Sequence, residues 1–333
     1  MTQTVELRRI GRSDLMTSRV GLGCVTFGRE IDEQTSFRIL DYAVERGIVF
    51  FDTAEFYGGG NAKKERLANY GTSDEREVSA EMYSSEKILG RWLAQRGCQD
   101  RVVICTKVSS GASADNIRKR VVESLERLNV DCIDVYKIHV PDDRVPIGES
   151  LQALNEQVVA GNIRVIGTSN FSAAQMQEAL EACRSKGCAR FEITQPPYSL
   201  GDRSYEPDLL PLCHREQIAV TTYSPLAAGF LAGKYSPTQE RQNFPAGSRF
   251  DVSPGHADVY FSDRNFRVVE HLRAKANELG IPMVRLAMAW AMANPMVTAV
   301  LVGARTTGHI DNALEAMAMG IDANLRAEMS SWD

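Results

Sequence analysis

Four side chains able to move a proton sit at or just past the ends of short apolar runs. The segment FDTAEFYG places Asp52 at the end of one run and Tyr57 five residues later. VVICTKV carries Lys107 near its end, on the same alternating face as Cys105. DVYKIHVPD carries His139 near its end, on the same face as Lys137. An ionised group in a protein interior is costly unless paired, so Asp52 and Lys107 are natural partners. A free phenol ionises near pH 10, and an adjacent ammonium favours the phenolate. Tyr57 beside Lys107 is thus expected to be more acidic than usual. Asp52 would keep Lys107 charged and aimed, and His139 would hydrogen-bond a substrate oxygen or the phenol. Such a group is a general acid suited to an alkoxide forming from a carbonyl. Lys137 and Cys105 are expected one layer below, as filling.

These residues need a scaffold that brings strand ends together. Eight short runs have strand character: 19–24, 49–53, 102–108, 133–140, 165–169, 191–195, 219–223 and 299–303. Between them lie segments with helical apolar spacing, among them 35–46, 114–128, 147–160, 173–186 and 263–279. Ser113, Ser172 and Ser262 stand where helix N-caps are expected, and Gly47, Gly161 and Gly280 just past helix ends. Strand–helix alternation repeated around the chain predicts an α/β fold, a (β/α)₈ TIM barrel, whose functional residues gather at the C-terminal ends of the strands. No linker or low-complexity tract divides residues 1–333, so a single domain is expected. Two irregular segments, 58–83 and 236–261, are long enough to be functional loops over that face. Gly60, Asn61, Lys63, Lys64 and Arg66 give the first one polar contact options.

Composition excludes several classes. The 333 residues hold 38 Lys+Arg against 43 Asp+Glu, a formal net charge of −5. That balance argues against a nucleic-acid partner. The seven cysteines form no CxxC pair, so no metal site is expected and free thiols in a reducing, cytoplasmic setting fit best. The N-terminus lacks a secretory h-region. The most apolar stretch, 286–302, is broken by Asn294 and Pro295 and reads as buried helix, turn and strand, not a membrane span. Met283, Met288, Met292 and Met296 are expected in the core.

In order along the chain, LRRIGRSDLMTSRVGLGC, FDTAEFYG, CTKV, YKIHVPD, GTSNFS, TQPPYSL, YSPLAAGFLAGKY and VGART resemble the aldo-keto reductase superfamily over nearly the full length. FLAGKY resembles the branch that includes potassium-channel β subunits and many bacterial reductases. The resemblance implies an N-terminal β-hairpin before the barrel and an NADP(H)-dependent oxidoreductase with the tetrad Asp52, Tyr57, Lys107 and His139. The expected reaction is hydride transfer between the cofactor and an aldehyde, ketone or alcohol.

No GxGxxG fingerprint is present, and GFLAGK (229–234) is one residue short of a P-loop, with Tyr235 where Ser or Thr would follow. A barrel can instead hold phosphate on the loops after its last two strands and at a helix N-terminus. Gly229 and Gly233 allow close backbone approach. Arg305 and Thr306, after Gly303, open a helix, and Arg suits a phosphate through forked hydrogen bonds. In the resembling family this place holds the 2′-phosphate of NADP(H). The same resemblance assigns Ser169, Asn170 and Gln195 to the nicotinamide amide, Tyr223 to stacking on its ring, and Ser224, Pro225 and Leu226 to the pyrophosphate. It adds Asp52, Cys24, Thr26, Leu231 and Lys234 to the cofactor contacts. The family's asparagine in the first turn of the adenosine-side helix falls on Ala313, with Asn312 one step earlier, and its glutamine is His309. Asn312 and His309 are therefore carried as cofactor candidates.

Cys24, Thr26, Phe27 and Phe56 are expected to cap the substrate pocket, and Tyr57 and His139 to touch the substrate. Asp142 and Arg144, just past His139, would meet a polar substrate. Loop polarity favours a sugar or other hydroxylated carbonyl compound. Two other readings compete: a Schiff-base lyase using Lys107, and a regulatory barrel that binds NADP(H) and turns over slowly. Oligomeric state is not inferable from the sequence.

Overall fold

The computed structural model describes residues 5–70, 77–240 and 243–332. An antiparallel hairpin, β1 (Leu7–Arg9) and β2 (Met16–Ser18), precedes eight parallel strands. These are β3 (Val20–Gly23), β4 (Phe50–Asp52), β5 (Val103–Val108), β6 (Ile133–Ile138), β7 (Ile163–Ser169), β8 (Ile193–Gln195), β9 (Ala219–Thr222) and β10 (Ala299–Gly303). They pair in chain order, and β10 closes on β3. The result is the expected (β/α)₈ barrel with its hairpin. Parallel neighbours require crossovers, and the helices supply them.

Alternation along the strands sorts the apolar residues into two cores. Phe50, Val103, Cys105, Val135, Val165, Ile193, Ala219 and Leu301 form one cluster with Ile10 and Leu15. Those last two flank the hairpin turn, where Ile10 N–H donates to Leu15 O at 2.9 Å, and their buried side chains plug the barrel at the strand starts. Gly11 is needed in that turn: it adopts φ +57°, and a Cβ there would stand 2.5 Å from Glu192 O. The larger core, including Phe51, Ile104, Tyr136, Ile166 and Val300, lies outside the barrel. That plug leaves the C-terminal mouth as the end where polar side chains can gather.

Helices Ala114–Leu128, Ala173–Lys186 and Asp263–Leu279 have the bounds read from sequence. Ser172 forms a reciprocal capping box with Gln175, and Ser262 accepts from Asn265 N–H at 3.2 Å. Ser113 occupies its N-cap position without a side-chain bond. The first barrel helix, Glu33–Glu45, starts earlier than its apolar pattern, because Asp32 caps it by accepting from Thr35 N–H at 2.7 Å. Met288 and Met292 are buried, with Met283 and Met296 packed against the core.

The segment 58–83 is not simply an irregular loop. Gly59–Tyr70 is a helix, seated closely enough that a Cβ on Gly59 would lie 1.9 Å from Ser79 O and 2.1 Å from Gly28 O. Asn61 and Arg66 are buried; Asn61 Oδ1 accepts from Tyr83 N–H, and Arg66 pairs with Glu77 at 2.5 Å. These groups, read as substrate contacts, hold the element down instead. Residues 71–76 of that segment lie outside the described residues. The segment 236–261 contains helices Arg249–Val252 and His256–Tyr260. Stacked Tyr235 and Phe250 (ring centroids 4.5 Å apart), with Phe244 and Phe261, give it an apolar base.

All seven cysteines are free. Among the described residues no cluster of potential ligands could hold a metal ion, and no helix is long and apolar enough to cross a membrane.

Candidate active site

Parallel pairing places Asp52 beside Cys105 and Lys107 beside Lys137, and their inward-facing side chains meet near the mouth. Lys107 is fully buried and donates to Asp52 Oδ2 at 2.7 Å and to Thr53 O at 2.6 Å. Its ammonium lies 4.8 Å from the centre of the Tyr57 ring. Tyr57 and His139 meet edge to face, with centroids 5.6 Å apart. The four residues singled out by type and position therefore form one group.

Their electrostatics follow from burial and from each other. Burial disfavours the Lys107 ammonium, but Asp52 and Tyr57 more than offset it and hold the group above the ordinary lysine value. Burial likewise opposes the Asp52 carboxylate, yet Lys107 and Lys137 keep it ionised below its usual range. Tyr57 departs from the expectation of a more acidic phenol. Burial raises it, Lys107 lowers it, Asp52 raises it again, and the net shift is upward. The ammonium's help is real but outweighed by desolvation. Burial, with the nearby Lys107, takes His139 down to about 3, so its ring is neutral at pH 7.

Lys137 is not a filler one layer below. Its Nζ donates to Gln195 Oε1 at 2.7 Å and Thr221 Oγ1 at 3.3 Å, and lies 3.5 Å from Asp52 Oδ1. Gly167 makes room for it, since a Cβ there would stand 3.2 Å from Lys137 Cγ. Gln195 completes the link by donating to Asp52 Oδ2 at 3.2 Å. Sequence alone puts Lys137 one layer down as filling, because it is the β5–β6 register that sets it level with Lys107. Cys105 does sit in the inner core.

Beyond β7, Asn170 adopts a left-handed conformation (φ 63°). Its Nδ2 donates to His139 O at 2.9 Å and to Ser169 Oγ at 3.1 Å, while its Oδ1 accepts from Tyr223 O–H at 2.8 Å. Ser169 O–H donates to Gln195 O at 2.8 Å. The polar groups expected at a nicotinamide thus also brace the strand carrying His139 and fix the Tyr223 ring.

A second group lies on the loops after β9 and β10. Ser224, Ala227, Ala228, Gly229 and Gly233 all have left-handed φ, with Pro225 and Leu226 between the first two. Three of these residues donate their N–H groups inside the turn, Ala227 to Ser224 O at 2.8 Å, Gly229 to Leu226 O at 2.9 Å and Gly233 to Phe230 O at 3.1 Å. Burial and then Arg305 push the Lys234 ammonium down; burial, Arg305 and Lys234 do the same to His309. These basic groups therefore face one another. Arg305 Nη1 donates to Gly247 O at 2.7 Å and lies 3.6 Å from Glu30, and Arg305 N–H donates to His309 Nδ1 at 3.1 Å. Thr306 stands at the N-cap of Thr307–Met319 with no side-chain bond, after an exposed Gly303.

The other sequence candidates have these surroundings. Asn312 faces Arg285, whose Nε donates to its Oδ1 at 3.0 Å. Phe27 and Leu231 are fully buried and pack in the outer core. The Cys24 thiol is buried and pushed well up by desolvation and Asp52. Thr26 O–H donates to Ala304 O at 3.0 Å, tying the β3 turn to β10. Phe56 stays 47% exposed at the rim. Asp142 and Arg144 pair with each other at 2.8 Å.

Comparison with known proteins decides the lineage: the sequence model of the aldo/keto reductase family matches residues 19–332. The chain belongs to the aldo/keto reductase family of oxidoreductases. It is 32% identical to a Bacillus subtilis protein named uncharacterized oxidoreductase YrpG, over 96% of this chain and 94% of that one. It is also 32% identical to a rice protein named probable voltage-gated potassium channel subunit beta, over 94% of this chain and 91% of the relative. Protein tas of Escherichia coli is 29% identical over 98% and 97%. Both the bacterial reductases and the channel-subunit branch anticipated from FLAGKY are thus among the relatives of this aldo/keto reductase.

Proposed function

We propose that the protein reduces an aldehyde or ketone to an alcohol, or runs the reverse, with NADP(H) as its cofactor and Tyr57 as proton donor. The reading is carried by one observation: Asp52, Lys107, Tyr57 and His139 converge at the end of the barrel opposite the Ile10–Leu15 plug. Bound NADPH supplies the hydride. The residues present fit such a group. The mutually repelling Lys234, Arg305 and His309, beside a left-handed run of backbone, are relieved by an anion such as a phosphate. The Tyr223 ring is anchored through its hydroxyl, leaving its face as a stacking surface.

The upward shift of Tyr57 suits the reductive direction. The phenol holds its proton at pH 7 and gives it up when an alkoxide forms beside it. Lys107, kept charged by Asp52, then stabilises the phenolate. His139 is neutral, so it orients the oxygen as a hydrogen-bonding group and is not the acid. A cavity of about 480 Å³ lies past the ends of β5 and β6, lined by Ser109, Ser110, Val140, Asp142, Asp143 and Arg144 among others and by none of the four tetrad residues. A sugar or other hydroxylated carbonyl as substrate rests on the polarity of these neighbouring loops.

Fluorescence titration with NADPH and NADH, then turnover on a carbonyl panel, tests the proposal. Tighter NADPH binding and carbonyl-dependent oxidation of NADPH are expected; equal or better binding of NADH overturns the cofactor assignment. A lyase reading fits poorly, because an imine-forming lysine needs a free amine and Lys107 is held protonated. The relatives named as channel subunits favour a second reading, a slowly turning regulatory barrel. Tight NADPH binding without carbonyl turnover would support it.

A further inference from the structure

His139 does not stand alone on its strand end. Its Nδ1 lies 2.6 Å from Ser109 Oγ. The contact is enforced by the backbone on both sides. His139 N–H donates to Val108 O at 2.9 Å, which fixes the two chains immediately before the side chains meet. Glu55, 1% exposed, extends the same ladder beyond the strands: its N–H donates to Lys107 O at 3.1 Å, and its Oε1 accepts from Ser109 N–H at 2.7 Å. Arg120 lies 3.6 Å from the other carboxylate oxygen. On the far side, Asn170 holds the His139 carbonyl. Ser109 is therefore aimed at the imidazole by main-chain bonds, not by chance of rotamer.

The direction of this bond decides which ring nitrogen carries the proton. Among the described residues Ser109 Oγ makes no other hydrogen bond. If the ring donated to Ser109, the hydroxyl hydrogen would find no protein acceptor among the described residues and would be left to the solvent that half-buried Ser109 meets. If Ser109 donates, its hydrogen and the basic Nδ1 lone pair satisfy each other. We propose that Ser109 is a positioning residue: its hydroxyl donates to Nδ1 of His139, keeps the ring proton on Nε2, and so presents His139 as a donor toward a carbonyl oxygen. The catalytic clause rests on the carbonyl chemistry proposed above; the tautomer clause does not.

The test uses full-length protein labelled with 15N-histidine and long-range 1H–15N correlation spectra. The His139 signals are assigned by their loss in His139→Asn. In the wild type the proton is expected on Nε2. Ser109→Ala should give a mixture of both tautomers, and Ser109→Thr should restore the single form. NADPH titration should be unchanged in Ser109→Ala, while kcat for carbonyl reduction falls about tenfold, the value of one hydrogen bond of roughly 1.4 kcal/mol. A wild-type ring protonated on Nδ1 overturns the proposal, as does a Ser109→Ala spectrum like that of the wild type. A changed tautomer with unchanged kcat overturns its catalytic clause. If the wild type turns over no carbonyl, the parent reading fails while the spectra still judge Ser109.

Discussion

Lys107 and Lys137 lie in register on neighbouring strands and share a single carboxylate, with Nζ of each 2.7 Å and 3.5 Å from the two oxygens of Asp52. Both ammonium groups are fully buried. Two cations on one anion leave an uncompensated positive charge beneath Tyr57 and His139. It opposes protonation of His139 and partly counters the desolvation of the phenol.

The two lysines should not be equivalent in stability. Lys107→Met removes the direct partner of Asp52 and strands a buried carboxylate, a loss of about 3–5 kcal/mol. Lys137→Met leaves that pair intact and mainly deprives Gln195 Oε1 of its donor, about 1–3 kcal/mol. Urea denaturation should rank Lys107→Met as the less stable variant; the reverse order would mean Lys137 is the principal counter-ion.

Tyr57→Phe should lower kcat for carbonyl reduction by about 10²–10⁴-fold. NADPH affinity should change little, because the hydroxyl lies in the Asp52–Lys107 group and not near Arg305. Turnover and fluorescence titration on the same preparation check both halves. Unchanged turnover would remove Tyr57 from its assigned role.

Arg305→Ala should weaken NADPH binding by about 10–100-fold, the equivalent of a charge-assisted hydrogen bond of roughly 1.5–3 kcal/mol. NADH binding should hardly move. Competitive titration reads the ratio, and equal weakening of both cofactors would place Arg305 away from a 2′-phosphate.

Stability should fall in acid through His139. The ring is depressed from 6.5 to about 3 in the folded protein, so between those pH values the unfolded chain binds a proton that the folded one refuses. Its contribution is complete above pH 6.5 and is lost as pH falls toward 3. Asp52, also depressed, adds a loss below its ordinary value of 3.8. Denaturant midpoints across this range should decline, and His139→Asn should flatten the upper part of the curve.

Gly59→Ala should destabilise the protein by about 1–3 kcal/mol, because its methyl group would run into backbone carbonyls of Ser79 and Gly28. A drop in Tm checks this. A silent substitution would mean that the Gly59–Tyr70 helix is a loose flap after all.

Much of this protein was legible before its coordinates. Apolar runs and caps act over a few residues, and they located all eight barrel strands and set the bounds of three helices. The types of Asp52, Tyr57, Lys107 and His139, each at or just past a strand end, marked the open mouth. What tertiary structure decided depends on residues far apart in the chain. The GGNAKKERLANY helix has no apolar stripe, and is seated by backbone contact with residues around 28 and 79. Lys137 joins the buried charges through strand register, Ser109 meets His139 through a ladder prolonged by Glu55, and Arg305 is held by Gly247 and Glu30. The sign of the Tyr57 shift followed the same rule: an ammonium neighbour is visible in a sequence, but the depth of burial that outweighs it exists only once the barrel has closed.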